Sequence, residues 1–285
     1  MLDVTQVLTG IVNERATTHY RALFPGAPAH VLAVVGRAVD GALSAISSSD
    51  ALYHNIEHTA HVTLVGLEIA RARQLRDGDV TPTLWANMVI ALLCHDIGYV
   101  RGLCRADTEH HIATGGDGPP MRNVDGSSDA ILMPIHVNRG KRFVEEAFTS
   151  EPLADIAFIK ACIERTRFPV PADAWYVQTG DYPGLVRAAD LIGQLSDPRY
   201  LNKLSAVFFE FEEIGFNELT GYERPGDLLS GYPDFFARHV APYIDAAVAL
   251  LESTVDGRDI LAHLYGNLAR ARHTGVGSLA HVANS

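Results

Sequence analysis

Two short segments combine histidine and carboxylate side chains at spacings that suit a metal ion. In residues 53–58, which spell YHNIEH, His54 and His58 lie four positions apart, and on a helix this spacing puts both rings on one face. His95-Asp96 follows the apolar run 88–94. A polar pair at the end of a buried helix is costly unless a metal ion or another partner satisfies it. These segments therefore predict a divalent metal site.

The elements that must position these side chains are helices. Helical periodicity runs through nearly the whole chain, and strand-like alternation is almost absent. The predicted helices cover residues 2–22, 29–47, 56–75, 82–97, 129–148, 152–166, 182–196, 198–215, 226–252 and 256–273. We expect one all-α domain over residues 1–285, with the metal-site core at about 50–250 and a long loop at 103–128.

Composition narrows the class of protein. The 285 residues, 47% hydrophobic and 20% charged, suffice for a large core. The net charge of −11 and the lack of a basic stripe argue against nucleic-acid binding. Because the sequence shows no signal-peptide pattern, no CxxC pair and no apolar run of about 18 residues, we expect a cytoplasmic protein that does not span a membrane.

The histidines also allow an interpretation without a metal. The zinc-protease pattern HExxH does not occur in the chain. A lone histidine is more often structural than catalytic, so His54 and His58 could instead be N-capping or hydrogen-bonded residues. The clustering of His58 with His95-Asp96 at the ends of predicted elements favours the metal site.

Further candidate residues lie downstream of the two segments. Pro134 indicates a helix start, which puts His136 in the first turn and Arg139 one turn later. These two side chains could bind a phosphate or complete a second metal site. His110 and His111, in the predicted long loop, are either extra ligands or surface residues.

The candidate residues match a known pattern. His58, His95-Asp96 and Asp190 resemble the H…HD…D signature of HD-domain metal-dependent phosphohydrolases. More narrowly, residues 53–60, which spell YHNxxHxA, resemble the YHNxxHA motif of class I 3′,5′-cyclic-nucleotide phosphodiesterases. The resemblance rests on separate islands of sequence between about 50 and 250.

This resemblance implies a fold, a cofactor and a role for each matching residue. It implies an HD/phosphodiesterase-like helical domain with one or two divalent ions, Zn, Fe, Mn or Mg. The implied metal ligands are His58, His95, Asp96 and Asp190. His54 would be the general acid, and Asn55 would orient its surroundings. In the implied reaction a metal-activated hydroxide attacks phosphorus while His54 protonates the leaving oxygen.

The substrate side matches less completely. Phe235 resembles a phosphodiesterase residue that stacks on the base, whereas Tyr232 stands where that family has a purine-binding Gln. After the HD pair the family has HDxxHPG, and residues 95–99 here spell HDIGY. We therefore predict hydrolysis of a phosphoester, with a 3′,5′-cyclic nucleotide as one candidate, and substrate contacts from Phe235, Tyr232, His136 and Arg139.

Two other functions stay open at this point. A diiron HD-domain oxygenase acting on a small molecule would need extra ligands from His110, His111 or His136. A degenerate HD module acting as a ligand sensor or scaffold would need no metal. The expected partner is a small-molecule phosphoester, with no nucleic acid and no membrane, and a homo-oligomer is left open.

Overall fold

The computed structural model describes the backbone of residues 3–282 and the side chains of residues 3–273. The helices are α1 (Val4–Leu23), α2 (Ala29–Ile46), α3 (Ile56–Asp77), α4 (Pro82–Cys94), α5 (His136–Phe148), α6 (Ile156–Arg165), α7 (Tyr182–Ser196), α8 (Tyr200–Glu213), α9 (Phe216–Thr220), α10 (Pro225–Phe235), α11 (Ala241–Leu251) and α12 (Val255–Val282). Within the described part of the chain the only strands are β1 (His111–Ile112) and β2 (Met121–Arg122), which form an antiparallel hairpin. The predicted all-α domain is confirmed.

Side-chain caps fix several helix ends. Asp3, Thr81, Asp155 and Asp181 each accept a hydrogen bond from the backbone N–H three residues further on. Gly78, in the left-handed conformation, ends α3. These caps explain why many helix boundaries lie within a few residues of those that the sequence predicts.

Helices α3 and α7 pack closely at the centre of the fold. Gly193 on α7 allows this contact, because a Cβ there would lie 2.8 Å from the Cα of Val62 on α3. Helix α4 packs beside both, with residues 85–94 all buried. The separation of α3 from α7 is therefore set by a residue that has no side chain.

Two predicted helices have different ends in the structure. Helix α4 ends at Cys94 rather than at 97, so that His95-Asp96 leads into a 3₁₀ turn at Ile97–Tyr99. The helix predicted at 129–148 begins only at His136, after a 3₁₀ turn at Asp129–Leu132. Pro134 separates the two pieces, since it has no N–H with which to continue the first turn.

The helix predicted at 226–252 is divided. Helix α10 is followed by a π turn at Phe236–Val240 and then by α11. Pro242, near the start of α11, lacks an N–H and its ring obstructs the carbonyl four residues earlier, so the backbone widens before it. Phe235, a predicted substrate contact, is the last residue of α10.

Helix α2 is, among the described residues, the one helix long and apolar enough to cross a membrane by length and composition. This differs from the expectation that no such segment exists. Its buried residues, including Val35, Val39 and Leu43, lie on one face, as they do in a helix that packs in a protein core. Core helices pass the same test, so α2 is weak support for a membrane span.

Candidate metal centre

Side chains from three parts of the chain meet in one buried group, which we call the metal cluster. It consists of His58 on α3, His95 and Asp96 after α4, and Asp190 on α7. His58 Nε2 lies 3.1 Å from Asp96 Oδ2 and 3.3 Å from Asp190 Oδ1. His95 Nε2 lies 3.2 Å and 3.6 Å from the same two oxygens. The structure thus brings together the side chains predicted as metal ligands.

The donor atoms of the metal cluster are oriented towards a common point. His95 Nδ1–H donates to the Leu92 carbonyl at 2.7 Å, which leaves the Nε2 lone pair facing the cluster. This nitrogen lies 3.3 Å from His58 Nε2, and Asp96 Oδ2 is buried without a well-formed hydrogen bond. Buried lone pairs that converge without a donor are costly. The residues therefore fit a divalent ion that accepts imidazole and carboxylate ligands.

The contact between α3 and α7 sets the spacing of these ligands. Gly193 follows Asp190 by three residues, and Val62 follows His58 by four. The Gly193–Val62 contact therefore lies about one helical turn from the metal cluster. A larger residue at 193 would separate His58 from Asp190.

The two carboxylates make the metal cluster attractive to positive charge. Burial alone lowers the pKa of His95, but Asp96 and Asp190 outweigh burial and raise that pKa well above its ordinary value. Burial raises the pKa of Asp190, but His95 and His58 outweigh it and lower that pKa to about 2. Both shifts indicate that the ionised carboxylates stabilise a cation here, either a proton on His95 Nε2 or a divalent ion that replaces this proton.

His54, the predicted general acid, lies beside the metal cluster, with its ring centroid 5.5 Å from that of His58. Its Nδ1–H donates to Glu210 Oε2 at 2.5 Å, and the backbone N–H groups of Tyr53 and His54 donate to Oε1 at 2.6 and 3.1 Å. Burial lowers the pKa of His54, but Glu210 outweighs burial and raises it to about 9. His54 therefore keeps its proton at neutral pH, as a general acid requires.

Tyr99 lies between His54 and His136. Its ring stacks on both, with each pair of centroids 4.6 Å apart. His136 Nε2 lies 3.5 Å from Asp96 Oδ1, and its Nδ1–H donates to the Met133 carbonyl at 2.5 Å. His136 is thus positioned to add a ligand next to the metal cluster, as the sequence suggested.

Gly98 is what allows His136 to come this close. A Cβ at this position would lie 1.9 Å from the His136 carbonyl oxygen, a distance that no side chain tolerates. The segment 97–99 departs from the phosphodiesterase pattern, and here it has a positional role. It brings the start of α5 against the turn that carries Asp96.

Asn55 acts on the backbone and does not line the cavity beside the cluster. As the N-cap of α3, its side-chain oxygen accepts from the N–H groups of Glu57 at 2.9 Å and His58 at 3.4 Å. Its Nδ2 donates to the Leu52 carbonyl at 2.9 Å. The predicted orienting role agrees with this geometry, because the cap fixes the turn from which His58 projects.

One cavity of about 120 Å³, the central cavity, opens beside the metal cluster. His54, Asp96, His136 and Asp190 line one part of it. Its apolar lining consists of Met133, Phe168, Val170, Leu191, Val207, Phe211 and Phe235. Phe235 therefore lines the cavity beside the metal cluster, and its role as a substrate contact stays a prediction. A larger cleft of about 550 Å³ lies away from the cluster, by the 103–128 loop.

Arg139 does not bind a substrate, and this prediction is wrong. The residue is 0% exposed and all of its N–H donors are used inside the protein. They reach both carboxylate oxygens of Asp107 and the carbonyls of Gly98, Val100 and Ala113. Arg139 therefore ties the 103–128 loop to α5, and no donor remains for a phosphate.

Tyr232 also fails as a substrate contact. It is 2% exposed and does not line the central cavity. Its ring packs against Tyr200 and Phe236, with centroids 5.5 and 6.5 Å away. Because α10 turns this side chain into the core, only Phe235 next to the π turn reaches the cavity.

The loop histidines lie elsewhere. His110 and His111 are exposed, and His111 pairs with Arg122 across the β hairpin. Neither belongs to the metal cluster or lines the central cavity. Of the three histidines considered as extra ligands from sequence, His136 is the one that lies beside the metal cluster.

Several residues of the site escaped sequence reasoning: Tyr99, Arg167, Arg187, Gln194 and Glu210. Glu210 had a usable signal, since it interrupts the apolar run 207–211 of α8, where a lone carboxylate needs a partner. Arg187 had one as well, because it precedes Asp190 by three residues and shares its helix face.

Comparison with known proteins finds one family. The family model described as Npun_R2479-like matches residues 2–274, which is nearly the whole chain. No curated protein matches, and no solved structure matches.

Proposed function

The chain belongs to the Npun_R2479-like family, and we propose that it is an HD-type metal-dependent phosphohydrolase that cleaves a phosphoester. One observation carries the proposal: His54, whose pKa is raised to about 9, shares a cavity with a buried group of imidazoles and carboxylates. Phosphoester hydrolysis needs neutralisation of the phosphoryl oxygens and a proton for the leaving oxygen. A metal cluster beside a protonated histidine would provide both.

The metal cluster would hold the divalent ion through His58, His95, Asp96 and Asp190. When bound, the ion supplies Lewis-acid chemistry and lowers the pKa of a coordinated water. His136 is the residue available to extend the ligand set at Asp96. The orphaned lone pairs of the cluster support this assignment.

His54 would deliver the proton. Glu210 holds the Nδ1 side of the ring, so the second ring nitrogen is the one available to the leaving oxygen. The carboxylate stabilises the imidazolium until the proton is transferred, and the stack on Tyr99 keeps the plane of the ring fixed. Asn55 contributes by capping α3 and so directing His58.

The substrate would be small. A cavity of about 120 Å³ is below the size of about 300–1,000 Å³ that is usual for ligand pockets. The finer proposal, a 3′,5′-cyclic nucleotide, is supported by the YHNxxH segment and by Phe235 at the cavity. Tyr232 lies in the core, so one of the two side chains expected to contact a nucleotide base does not reach the cavity.

The test is hydrolysis by the purified full chain supplied with Mn²⁺, Mg²⁺ or Fe²⁺. Bis(p-nitrophenyl) phosphate and 3′,5′-cyclic AMP serve as a generic and a specific substrate. We expect turnover by the wild type and a loss of about 10²–10⁴-fold in kcat for His54→Ala. Metal content, measured by elemental analysis, should be unchanged in that variant.

His30→Ala is the matched control, because His30 is exposed and lies on α2, outside the site. It should keep wild-type kcat. Full activity in His54→Ala would contradict the role of His54, and absence of turnover with every metal would contradict the proposed function.

A diiron oxygenase is the second candidate, and the position of His136 favours it. A second imidazole-containing metal position next to Asp96 would suit a pair of iron ions. Two irons per chain in the natively purified protein, together with O₂ consumption, would select this function. A chain that retains no metal at all would instead support the ligand-sensing or scaffold module.

A further inference from the structure

The central cavity has a second charged region besides the metal cluster. Arg167 and Arg187 both line it. Arg187 lies on α7 three residues before Asp190, so one face of this helix presents both a guanidinium and a predicted metal ligand to the same space. The chain as a whole has a net charge of −11, so two arginines at one small cavity form a local positive region in an acidic protein.

Arg187 is a buried cation that forms no ion pair with any carboxylate in the part of the chain that the structure describes. It is 2% exposed, and it donates hydrogen bonds to the carbonyls of Tyr176 and Gln178. Its Nε has no hydrogen-bond partner. The Tyr243 ring lies 4.3 Å from the guanidinium carbon and offsets only part of the cost of burial. A buried charge of this kind is stabilised strongly by an anion.

Arg167 is held rigidly by Glu164. Its Nε and Nη2 donate to the two oxygens of that carboxylate at 2.5 and 2.9 Å, and Nη2 also donates to Asn138 at 2.8 Å. Glu164 accepts from Lys141 and from the Tyr176 hydroxyl as well. One carboxylate therefore serves two cations, which leaves positive charge beside the cavity.

The segment of Trp175 and Tyr176 connects the two arginines. The Tyr176 carbonyl accepts from Arg187, and its hydroxyl donates to the carboxylate that holds Arg167. Next to it, the Trp175 ring lies 3.9 Å from the guanidinium carbon of Arg165. Arg167 and Arg187 thus form a pre-positioned pair, which we call the arginine wall.

We propose that the arginine wall binds a second anionic group of the substrate, a phosphate or a carboxylate. The substrate class is then phosphoesters that carry two anionic groups, one at the metal cluster and one at the arginine wall. This inference rests on the proposed function, because the phosphoester at the metal cluster defines the first anion. Arg167 and Arg187 are specificity-determining residues and take no part in bond cleavage.

The proposal can be tested by isothermal titration calorimetry. Phosphonates, which the enzyme cannot hydrolyse, are titrated into the full-length, metal-loaded protein. Methylphosphonate has one anionic group, whereas methylenediphosphonate and phosphonoacetate add a second phosphonate or a carboxylate. Wild type should bind a two-anion probe with a lower Kd than methylphosphonate. Whichever of methylenediphosphonate and phosphonoacetate binds more tightly identifies the second anionic group as a phosphate or a carboxylate. A hydrogen bond to a charged group is worth about 1.5–3 kcal/mol, so Arg167→Gln should reduce this preference by about 10–150-fold.

The Kd of methylphosphonate should change by less than about 2-fold in Arg167→Gln, because that probe reaches only the metal cluster. Arg187→Gln should reduce the preference for a two-anion probe in the same way. Because Arg187 is buried, this variant could fail to fold, and the result for Arg167→Gln then decides the test. Arg142→Gln is the matched control, since Arg142 also pairs with a glutamate nearby in sequence, Glu146, but lies outside the central cavity.

The outcomes separate this inference from the proposed function. A wild-type preference retained by folded Arg167→Gln and Arg187→Gln overturns the arginine wall, even where His54-dependent hydrolysis is found. A preference lost in Arg167→Gln supports the wall, even where no phosphoester is hydrolysed and the proposed function fails.

Discussion

Two buried polar groups in this domain differ in how completely their atoms are paired. In the first, which we call the anchor, Arg139 and Asp107 satisfy each other and the neighbouring carbonyls. In the metal cluster, His58, His95 and Asp96 bring lone pairs together and leave a carboxylate oxygen without a proper donor. The comparison indicates that a buried polar group whose hydrogen bonds are all made stabilises the fold, whereas one that leaves polar atoms unpaired is suited to bind a ligand.

Removing Arg139 should have the largest effect on stability. Arg139→Met leaves the Asp107 carboxylate buried without its partner, and breaking a buried pair in this way costs about 3–5 kcal/mol. We expect a loss of this size in the free energy of unfolding, measured by urea denaturation. Arg142→Met, at an exposed ion pair on the same helix, is the control and should stay close to wild type. An equal loss in both variants would remove the distinction between the anchor and a surface pair.

Glu210→Gln should shift the pH dependence of activity. Wild-type His54 has a pKa of about 9, and without the Glu210 charge only Asp96 and Asp190 oppose the effect of burial, so that the pKa falls. The alkaline limb of kcat/KM should therefore move to lower pH by about one unit or more, equivalent to about 1.4 kcal/mol. Rate profiles between pH 6 and pH 10 measure this. An unchanged limb would show that Glu210 does not control the proton on His54.

The same pair makes stability depend on pH. Because folding raises the pKa of His54 from 6.5 to about 9, its contribution is fully present below pH 6.5 and is lost as the pH rises through about 9. Glu210→Gln should flatten the unfolding free energy across this window.

Asp96→Asn should have the smallest effect on the fold when measured with excess chelator. Because His95 can release its proton once the Asp96 charge is removed, this change leaves no buried charge unpaired, and the unfolding free energy should stay within about 1 kcal/mol of wild type. Metal content per chain should fall sharply, because Asp96 is the carboxylate closest to both imidazoles. A stability loss as large as that of Arg139→Met would show that the cluster holds the fold.

Local sequence patterns predicted the features that depend on local spacing. The helix of His58 and the placement of His95-Asp96 after a buried helix follow from periodicity within a few residues. The convergence of Asp190 with them was implied by the family pattern and is present in the structure. The all-α class follows from the same periodicity over the whole chain.

Features that depend on distant partners could not be predicted in this way. Arg139 looked like a phosphate ligand because it follows His136, whereas its partner Asp107 lies 32 residues earlier in the loop. Glu210 holds His54 from 156 residues away. Tyr232 turned into the core because α10 has a rotation that no local pattern reveals. Partner choice over such separations is decided by tertiary packing, which spacing along the chain does not encode.

The stack of Trp175 on Arg165 places a fluorescent side chain next to Tyr176, the residue that connects Arg167 and Arg187. The chain has two tryptophans, and the other, Trp85, is 0% exposed in the core and far in sequence from the arginine wall. The indole of Trp175 is partly exposed and lies beside the residue whose carbonyl holds Arg187. We therefore expect the emission of Trp175 to change when an anion binds at the arginine wall, whereas the emission of buried Trp85 should stay constant. A titration followed by intrinsic fluorescence would measure this binding without a reaction and without an added dye.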